Sequence, residues 1–537
     1  MSFGSRAQCP KWSLSRIPMR HFGTIALCIS ATACTAFATV QPAGVFTDNA
    51  VLQQGEPVKI WGTAAPEENV TVAFAGQTQE ATADKKGNWM VTLDKLSSSA
   101  EGRPLVFIGS ETTQPVELKN VVIGEVWLAG GQSNMATIMS FYQPSTQADI
   151  ESANDPLLRM VTIPRYNMKG ENSEPPAWQP ALPQNAGNFS ACAYYFAENL
   201  RKALGVPVGI ITCAVGGSPA EAWMSRATFE SDPELKKILD AYEAGYKADF
   251  ANNAAYEKYL QDFDQAAKEW QQNRKGPPPV EKMGPRHGRR PCGWHETMLT
   301  QTIPYTVKGV IWYQGETDAD SQASYHYRKV FPALIKEWRE EFQNPELPFL
   351  FVQLATFGGP NADKSWWPEL RESQSWTEQH VKNTGMIIMT DGGEEDGIHP
   401  HSKPQAGHRL SLLARNMVYG EKNLRCRGPQ LDEAKARDGV IEIFFRNTGS
   451  ALVLKPEMDS AFEICGKDGK YVPAKAELKD GRILVSAESV PDPASVRYGW
   501  KKWFIPTLFN EDGLPASPFR TDDFPPVTKG RYYLDGK

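Results

Sequence analysis

Cysteine is scarce in this chain, with 8 among 537 residues, and no two of them stand as C-x-x-C. That excludes a disulfide-dense scaffold and gives a zinc knuckle no support. Long apolar runs are missing too: the strongest candidate, 25–38, is shorter than the ~18 residues a spanning helix needs. A surplus of positive charge is also lacking. The formal net charge is -6, which argues against a nucleic-acid-binding surface as the main role. There is no internal repeat and no low-complexity tract. Ordinary hydrophobic and charged contents, 41% and 22%, exclude a disordered or collagen-like chain.

What is present is length, loop residues and tryptophan. A chain this long suggests roughly three to four domains. Gly 43 and Pro 40 make it loop-rich, and Trp 15 supplies flat rings suited to either core or sugar. Residues 1–38 carry Arg6, Lys11, Arg16 and Arg20 with no acid, then a short apolar stretch ending in Ala36-Phe37-Ala38. This is the form of an export signal, and it implies a periplasmic or extracellular protein. Lipoprotein processing at Cys34 is disfavoured by Ala31 three residues before it. Removal of 1–38 takes the net charge from -6 to -10 and leaves five cysteines, Cys192, Cys213, Cys292, Cys426 and Cys465.

Residues 39–118 alternate with period two, as in Val58-Lys59-Ile60-Trp61-Gly62 and Trp89-Met90-Val91-Thr92-Leu93, and read as a β-sandwich segment. From 119 to 425 the rhythm changes. Apolar β-rich runs at 122–129, 158–163, 206–214, 308–313, 349–354 and 386–390 alternate with helical patterns at 192–204, 325–342 and 404–419. Strands buried on both faces and interleaved with helices predict an α/β domain with three α/β/α layers and a mainly parallel sheet. Residues 232–290 interrupt it as a helical insertion and loop, with a break near Asn252-Asn253. A second β segment fills 426–537.

Four motifs follow predicted strands, where the reactive groups of such a sheet gather. Gly130-Gly131-Gln132-Ser133-Asn134-Met135 puts a serine at the mouth of the sheet, as a nucleophile or as a helix cap formed by Ser133 or Asn134. Asp391 to Pro400 includes Asp396 and His399, three apart. An imidazole that takes the serine proton and a carboxylate that orients it are what a serine nucleophile requires. The same loop holds His401 and several acids, so a metal centre at His399 and His401 is a rival, although it lacks ordered ligand spacing. Gly216-Gly217-Ser218-Pro219-Ala220-Glu221 predicts a capped helix start with free amides, a place for an oxyanion. Trp312-Tyr313-Gln314-Gly315-Glu316 offers Gln314 as a further oxyanion donor. It also offers Glu316 as a buried structural acid or as a competitor of Asp396.

These motifs, GEVWLAGGQSNM (124–135), GVPVGIITCAVGGSPAEAWMSR (205–226), KGVIWYQGET (308–317), LPFLFVQLA (347–355) and DGIHP (396–400), resemble the sialate O-acetylesterase family of the SGNH hydrolases. The tail, RYGWKKWF (497–504) and NEDGLPASPFRTDDF (510–524), is similar to that family's ending. The resemblance implies an SGNH esterase domain carrying β-sandwich segments from both ends of the chain. It implies Ser133 as nucleophile, His399 as base and Asp396 as its orienting acid. Oxyanion donors would be the amides of Ser133 and Gly217 with the side chain of Gln314. It further implies release of acetate from an O-acetylated sugar, most directly sialic acid, with no metal, no organic cofactor, no nucleic acid and no membrane span. The sequence departs from the family at 293–298, Gly-Trp-His-Glu-Thr-Met, and at Glu394 and Glu395. An acetylated plant polysaccharide such as xylan is the alternative substrate, and a non-catalytic carbohydrate-binding protein the alternative class. A sialate carboxylate calls for an arginine, and Arg371, Arg409 and Arg497 are candidates. Trp223, Trp312, Trp366 and Trp367 are candidate sugar-stacking faces.

Overall fold

A computed structural model describes residues 40–534 except 112–113, 167, 169–173, 361–363, 365 and 456–460. The export segment expected at 1–38 lies outside the described residues.

The centre of the molecule is a mainly parallel sheet. Its strands are β1 (Val116–Gly131), β2 (Asp155–Thr162), β3 (Gln179–Ala181), β4 (Val208–Ala214), β5 (Gly309–Tyr313), β6 (Phe349–Val352) and β7 (Thr384–Ile387). They lie in the order β3-β2-β4-β1-β5-β6-β7. All neighbours are parallel except β3, which runs antiparallel to β2 at the edge. Every residue of β5, β6 and β7 is buried. Both faces are therefore covered, and the strands read as continuous apolar runs instead of alternating ones.

Helices cover each face. On one side lie α1 (Ser133–Ala136), α2 (Ala191–Leu204) and the last long helix, Lys403–Met417, around Phe196, Leu200, Leu410 and Leu413. Ser190 caps α2 by accepting from the Ala193 amide, and Gly205 ends it with a left-handed φ of 70°. The helical insertion consists of α3 (Pro233–Asp249) and α4 (Asn253–Asn273), broken at Asn252 as the sequence suggests. Between α4 and the last helix come α5 (Gly293–Thr297), α6 (Glu316–Asp320), α7 (Tyr327–Glu341) and α8 (Trp366–His380). The last helix is α9.

Residues 40–109 form two antiparallel layers. One contains Gln41–Pro42, Val58–Thr63 and Asn88–Leu93, and the other contains Asn69–Phe74, Gln77–Thr82 and Ser99–Gly109. The boundary expected at 118/119 falls inside one strand. The first part of β1 pairs with Ser99–Gly109, with Leu118 opposite Leu105. Its second part pairs with β4 and β5, with Gly131 opposite Ala214 and Tyr313. The amino-terminal layer and one face of the central sheet share one apolar core, which runs from Val40 and Phe46 through Trp312 and Phe331. The carboxyl-terminal region has its own core around Ile443, Phe462, Ile483 and Tyr498, between two four-stranded antiparallel sheets. Cys192, Cys213, Cys292, Cys426 and Cys465 are buried and free.

Candidate active site

Three neighbouring strands, β4, β1 and β5, deliver their following loops to one edge of the sheet. β1 ends in Gly130-Gly131, and both positions exclude a side chain. A Cβ at Gly131 would lie 2.2 Å from the Tyr313 carbonyl oxygen, and φ there is 135°. The tight passage lets Ser133 open α1 immediately after the strand. Ser133 is the first residue of the helix, not its cap; the cap position is Gln132, which makes no side-chain capping bond. Thr137 Oγ donates to the Ser133 carbonyl at 2.6 Å, and Ser190 Oγ donates to the Met135 carbonyl at 2.6 Å. The short helix is thus pinned from both ends, with Ser133 half-buried.

The loop after β4 comes up beside it. A Cβ on Gly216 would sit 3.5 Å from Ser133 Cβ. Gly217 has φ 72° with nothing within 4 Å of where its Cβ would be. Its N–H has no main-chain acceptor among the described residues. The capping box expected from Ser218 and Glu221 does not form. Ser218 Oγ instead donates to the Val215 carbonyl at 2.8 Å and accepts from the Trp223 indole at 2.9 Å.

The His399 loop arrives from β7, three positions across the sheet, and Asn134 holds it. The Asn134 amide donates to the Ile398 carbonyl at 3.0 Å and to Glu316 Oε1 at 2.5 Å. Lys403, the first residue of α9, donates through Nζ to Asn134 Oδ1 at 2.7 Å and to the Pro400 carbonyl at 2.9 Å. Asn134 therefore ties together the loops after β1, β5 and β7. Burial and the nearby Lys403 cation hold the His399 imidazole below its usual pKa. Both effects favour the neutral imidazole, the form that can accept a proton. The exposed Phe141 ring meets it edge-on at 6.0 Å.

The expected residues do not all converge. Among the described residues no hydrogen bond joins Ser133 to His399 or His399 to Asp396, and Asp396 is exposed. Glu316 is buried with Oε1 on Asn134 of the serine helix, and no hydrogen bond joins it to His399 among the described residues. Its Oε2 has no hydrogen-bond partner, and burial pushes the carboxyl up to about 7.

Gln314 is corrected. It is fully buried, and its amide is committed to the Ser218 carbonyl at 3.2 Å, Gln132 Oε1 at 3.2 Å and Asp318. Its oxygen accepts from Tyr327 at 2.9 Å. No N–H is left to face an oxyanion.

The sugar-contact candidates, apart from the partly exposed Trp366, are corrected too. Trp223 and Trp312 are both fully buried and cross each other at 88° inside the core. Trp367 is buried as well, with its indole on the Ala355 carbonyl at 3.0 Å. Arg371 is fully buried and donates to the carbonyls of Leu354, Ala355, Lys501 and Lys502 at 2.7–3.0 Å. Arg409 grips Asp391 through two bonds of 2.6 and 2.7 Å, and Arg497 pairs with Asp522 at 2.8 Å. Each arginine satisfies protein acceptors, and none is free for a ligand carboxylate.

Two groups escaped the sequence reading. Asn134 stood in the serine motif, but as a possible cap. Lys403 follows the histidine loop and carries no motif signal of its own. The His401 ring bonds Glu394 at 3.0 Å. The three-residue cluster among the described residues that could ligate a cation is elsewhere, at His295, Glu337 and Glu341, where His295 meets Glu341 at 2.8 Å.

Comparison with known proteins identifies the family. Residues 123–269 and 294–417 match the family model described as carbohydrate esterase, sialic acid-specific acetylesterase. The chain is similar to the sialate O-acetylesterase of Mus musculus, 27% identical over 536 residues, covering 88% of this chain and 93% of the relative. It is also similar to that of Homo sapiens, 26% identical over 525 residues, covering 88% and 91%. The crystal structure of a novel carbohydrate acetylesterase from Xanthomonas citri superposes with a TM-score of 0.74 at 33% identity, covering 90% of this chain and 100% of that one. The matched stretches contain the loops after β1, β4, β5 and β7, and the chain belongs to the carbohydrate esterase, sialic acid-specific acetylesterase family, and is an ester hydrolase.

Proposed function

We propose that this esterase removes O-acetyl groups from sugars with Ser133 as nucleophile, His399 as general base and Asp396 as its orienting acid. The observation that carries the reading is the Asn134 amide on the Ile398 carbonyl at 3.0 Å, which binds the serine and histidine loops into one unit. His399 takes the Ser133 hydroxyl proton as Oγ attacks the acetyl carbon. The carbonyl electron pair moves to oxygen, and the amides of Ser133 and Gly217 donate hydrogen bonds to that oxyanion. His399 then returns the proton to the departing sugar oxygen as the C–O bond breaks. Water, deprotonated in turn by His399, attacks the acyl carbon, and His399 returns that proton to Ser133 Oγ as the Oγ–acyl bond breaks and acetate leaves. Asp396 reaches His399 by a turn of its exposed loop on substrate binding, since catalytic hydrogen bonds often tighten only in the complex.

O-acetylated sialic acid is the first substrate reading, supported by the names of the relatives. A neutral acetylated polysaccharide such as acetylxylan is the second. One observation favours it: Arg371, Arg409 and Arg497 are all committed to protein acceptors. Acetate release from O-acetylated sialic acids, acetylated xylan and an aryl acetate separates the two. Ser133→Ala tests the mechanism: full activity in a folded variant would sink it. We further propose export, on the strength of the basic and then apolar residues 1–38.

A further inference from the structure

A second polar groove lies away from Ser133, where the carboxyl-terminal region meets α7 and α8. It consists of two cavities, of about 820 Å³ and about 400 Å³, that share Arg328 and Trp376. None of the residues that surround Ser133 lines either cavity. Each volume suits a ligand of several rings.

Trp376 forms the aromatic floor at the junction. Its ring stacks on His380 with centroids 4.1 Å apart and planes at 12°, and the Trp376 carbonyl engages His380 Nδ1 at 2.8 Å. The imidazole, which lines the larger cavity too, covers one face of the indole and fixes its plane. The Trp376 side chain is only partly buried, and its N–H has no acceptor among the described residues. A sugar ring offers C–H groups to such a plane and hydroxyls to the polar groups beside it.

Charge narrows the class. Arg328 and Arg520 are held by Glu372, Arg427 by Glu378 and Lys329 by Asp232. Three cations remain. Arg446, in the larger cavity, touches only Gln430 Oε1 at 3.3 Å; Asp432 lines the same cavity, and Glu234 in the smaller one meets only His326 at 3.7 Å. Lys529 and Arg531, in the smaller cavity, make no ion pair among the described residues, and Lys529 lies 5.8 Å from the Tyr325 ring centre. On a protein of net charge -6, exposed unpaired cations at both ends of an aromatic groove select an anionic chain.

We propose that this groove is a second carbohydrate-binding site that holds a sugar chain bearing carboxylates, separate from the ester-hydrolysing centre. The choice of carbohydrate rests on the family, and it stands whether or not Ser133 is the nucleophile. Tethering a polymer here raises the local concentration of its acetyl groups at the catalytic edge.

The test is calorimetric titration of the full chain with three unacetylated probes: oligogalacturonate, oligosialate and xylo-oligosaccharide. Binding of at least one acidic probe is expected, stronger than that of the neutral one and weakened by salt. Which acidic probe binds identifies the sugar. Trp376→Ala should weaken it at least tenfold, while hydrolysis of an aryl acetate is unchanged. The double substitution Arg446→Gln with Lys529→Gln changes only exposed side chains and should weaken binding by a similar factor. Absence of binding to both acidic probes overturns the proposal. So does equal binding of the neutral probe, or wild-type affinity in the double variant.

Discussion

The side-chain amide of Asn134 donates to the main-chain oxygen of Ile398 across 3.0 Å. The residue after the serine thus holds the residue before the histidine. Nothing in the sheet itself fixes that distance, because β1 and β7 are separated by two strands.

Asn134→Ala should therefore lower kcat by about 10- to 100-fold with little change in KM, since small displacements of reacting groups cost this much. It also strips partners from buried Lys403 and Glu316, at about 1–3 kcal/mol for each unsatisfied group. Steady-state kinetics and urea unfolding measure both effects. A kcat within twofold of wild type would show that the two loops hold their places without Asn134.

Lys403→Met should move the pH profile. The ammonium lowers the His399 pKa through its charge, alongside burial. Removing it raises that pKa, so the imidazole stays protonated to higher pH. The acid limb of kcat/KM should shift upward, while the alkaline plateau changes less. An unmoved acid limb would contradict the electrostatic link.

Glu316 should make stability fall as pH rises. Burial lifts its pKa to about 7, above the usual 4.5 of a glutamate. Between those values the folded state holds a proton that the unfolded chain has lost, so unfolding free energy declines across pH 4.5–7. The amplitude is on the order of 3 kcal/mol. Glu316→Gln should flatten this part of the curve. Denaturant midpoints at several pH values test it, and an unchanged slope would refute the assignment.

Arg371→Leu should destabilise without altering specificity. It takes a donor from four carbonyls, and those of Leu354 and Lys501 have no other among the described residues, a loss of about 2 kcal/mol or more. The ratio of kcat/KM for sialate and neutral substrates should stay constant. A selective loss on the sialate substrate would restore Arg371 to the binding site.

The central sheet was legible because strands such as 309–313 are apolar throughout, the pattern of a strand buried on both faces. The 232–290 insertion was legible through its helical period and the Asn252-Asn253 break. The short strand Gln77–Thr82 was missed: apart from Ala81 it is polar and carries no hydrophobic alternation. In the site, glycine pairs after strands marked the loops that meet. The roles of Gln314, Trp223 and Arg371 were not legible, because burial decides them and burial belongs to the tertiary fold. A glutamine beside a catalytic loop looks the same in sequence whether its amide faces substrate or Asp318.

The shared strand β1 has a consequence for how the molecule comes apart. Its first half is a rung of the amino-terminal layer and its second half carries the serine. No cleavage point between them leaves two intact sheets. Heating should melt residues 40–417 in one calorimetric transition, with the carboxyl-terminal region, which has its own core, free to melt separately. A preparation that begins at residue 119 would have an unpaired strand stub and an open face of Val121, Val122 and Ile123, and should aggregate. The amino-terminal β layer is in this sense part of the foundation on which Ser133 stands.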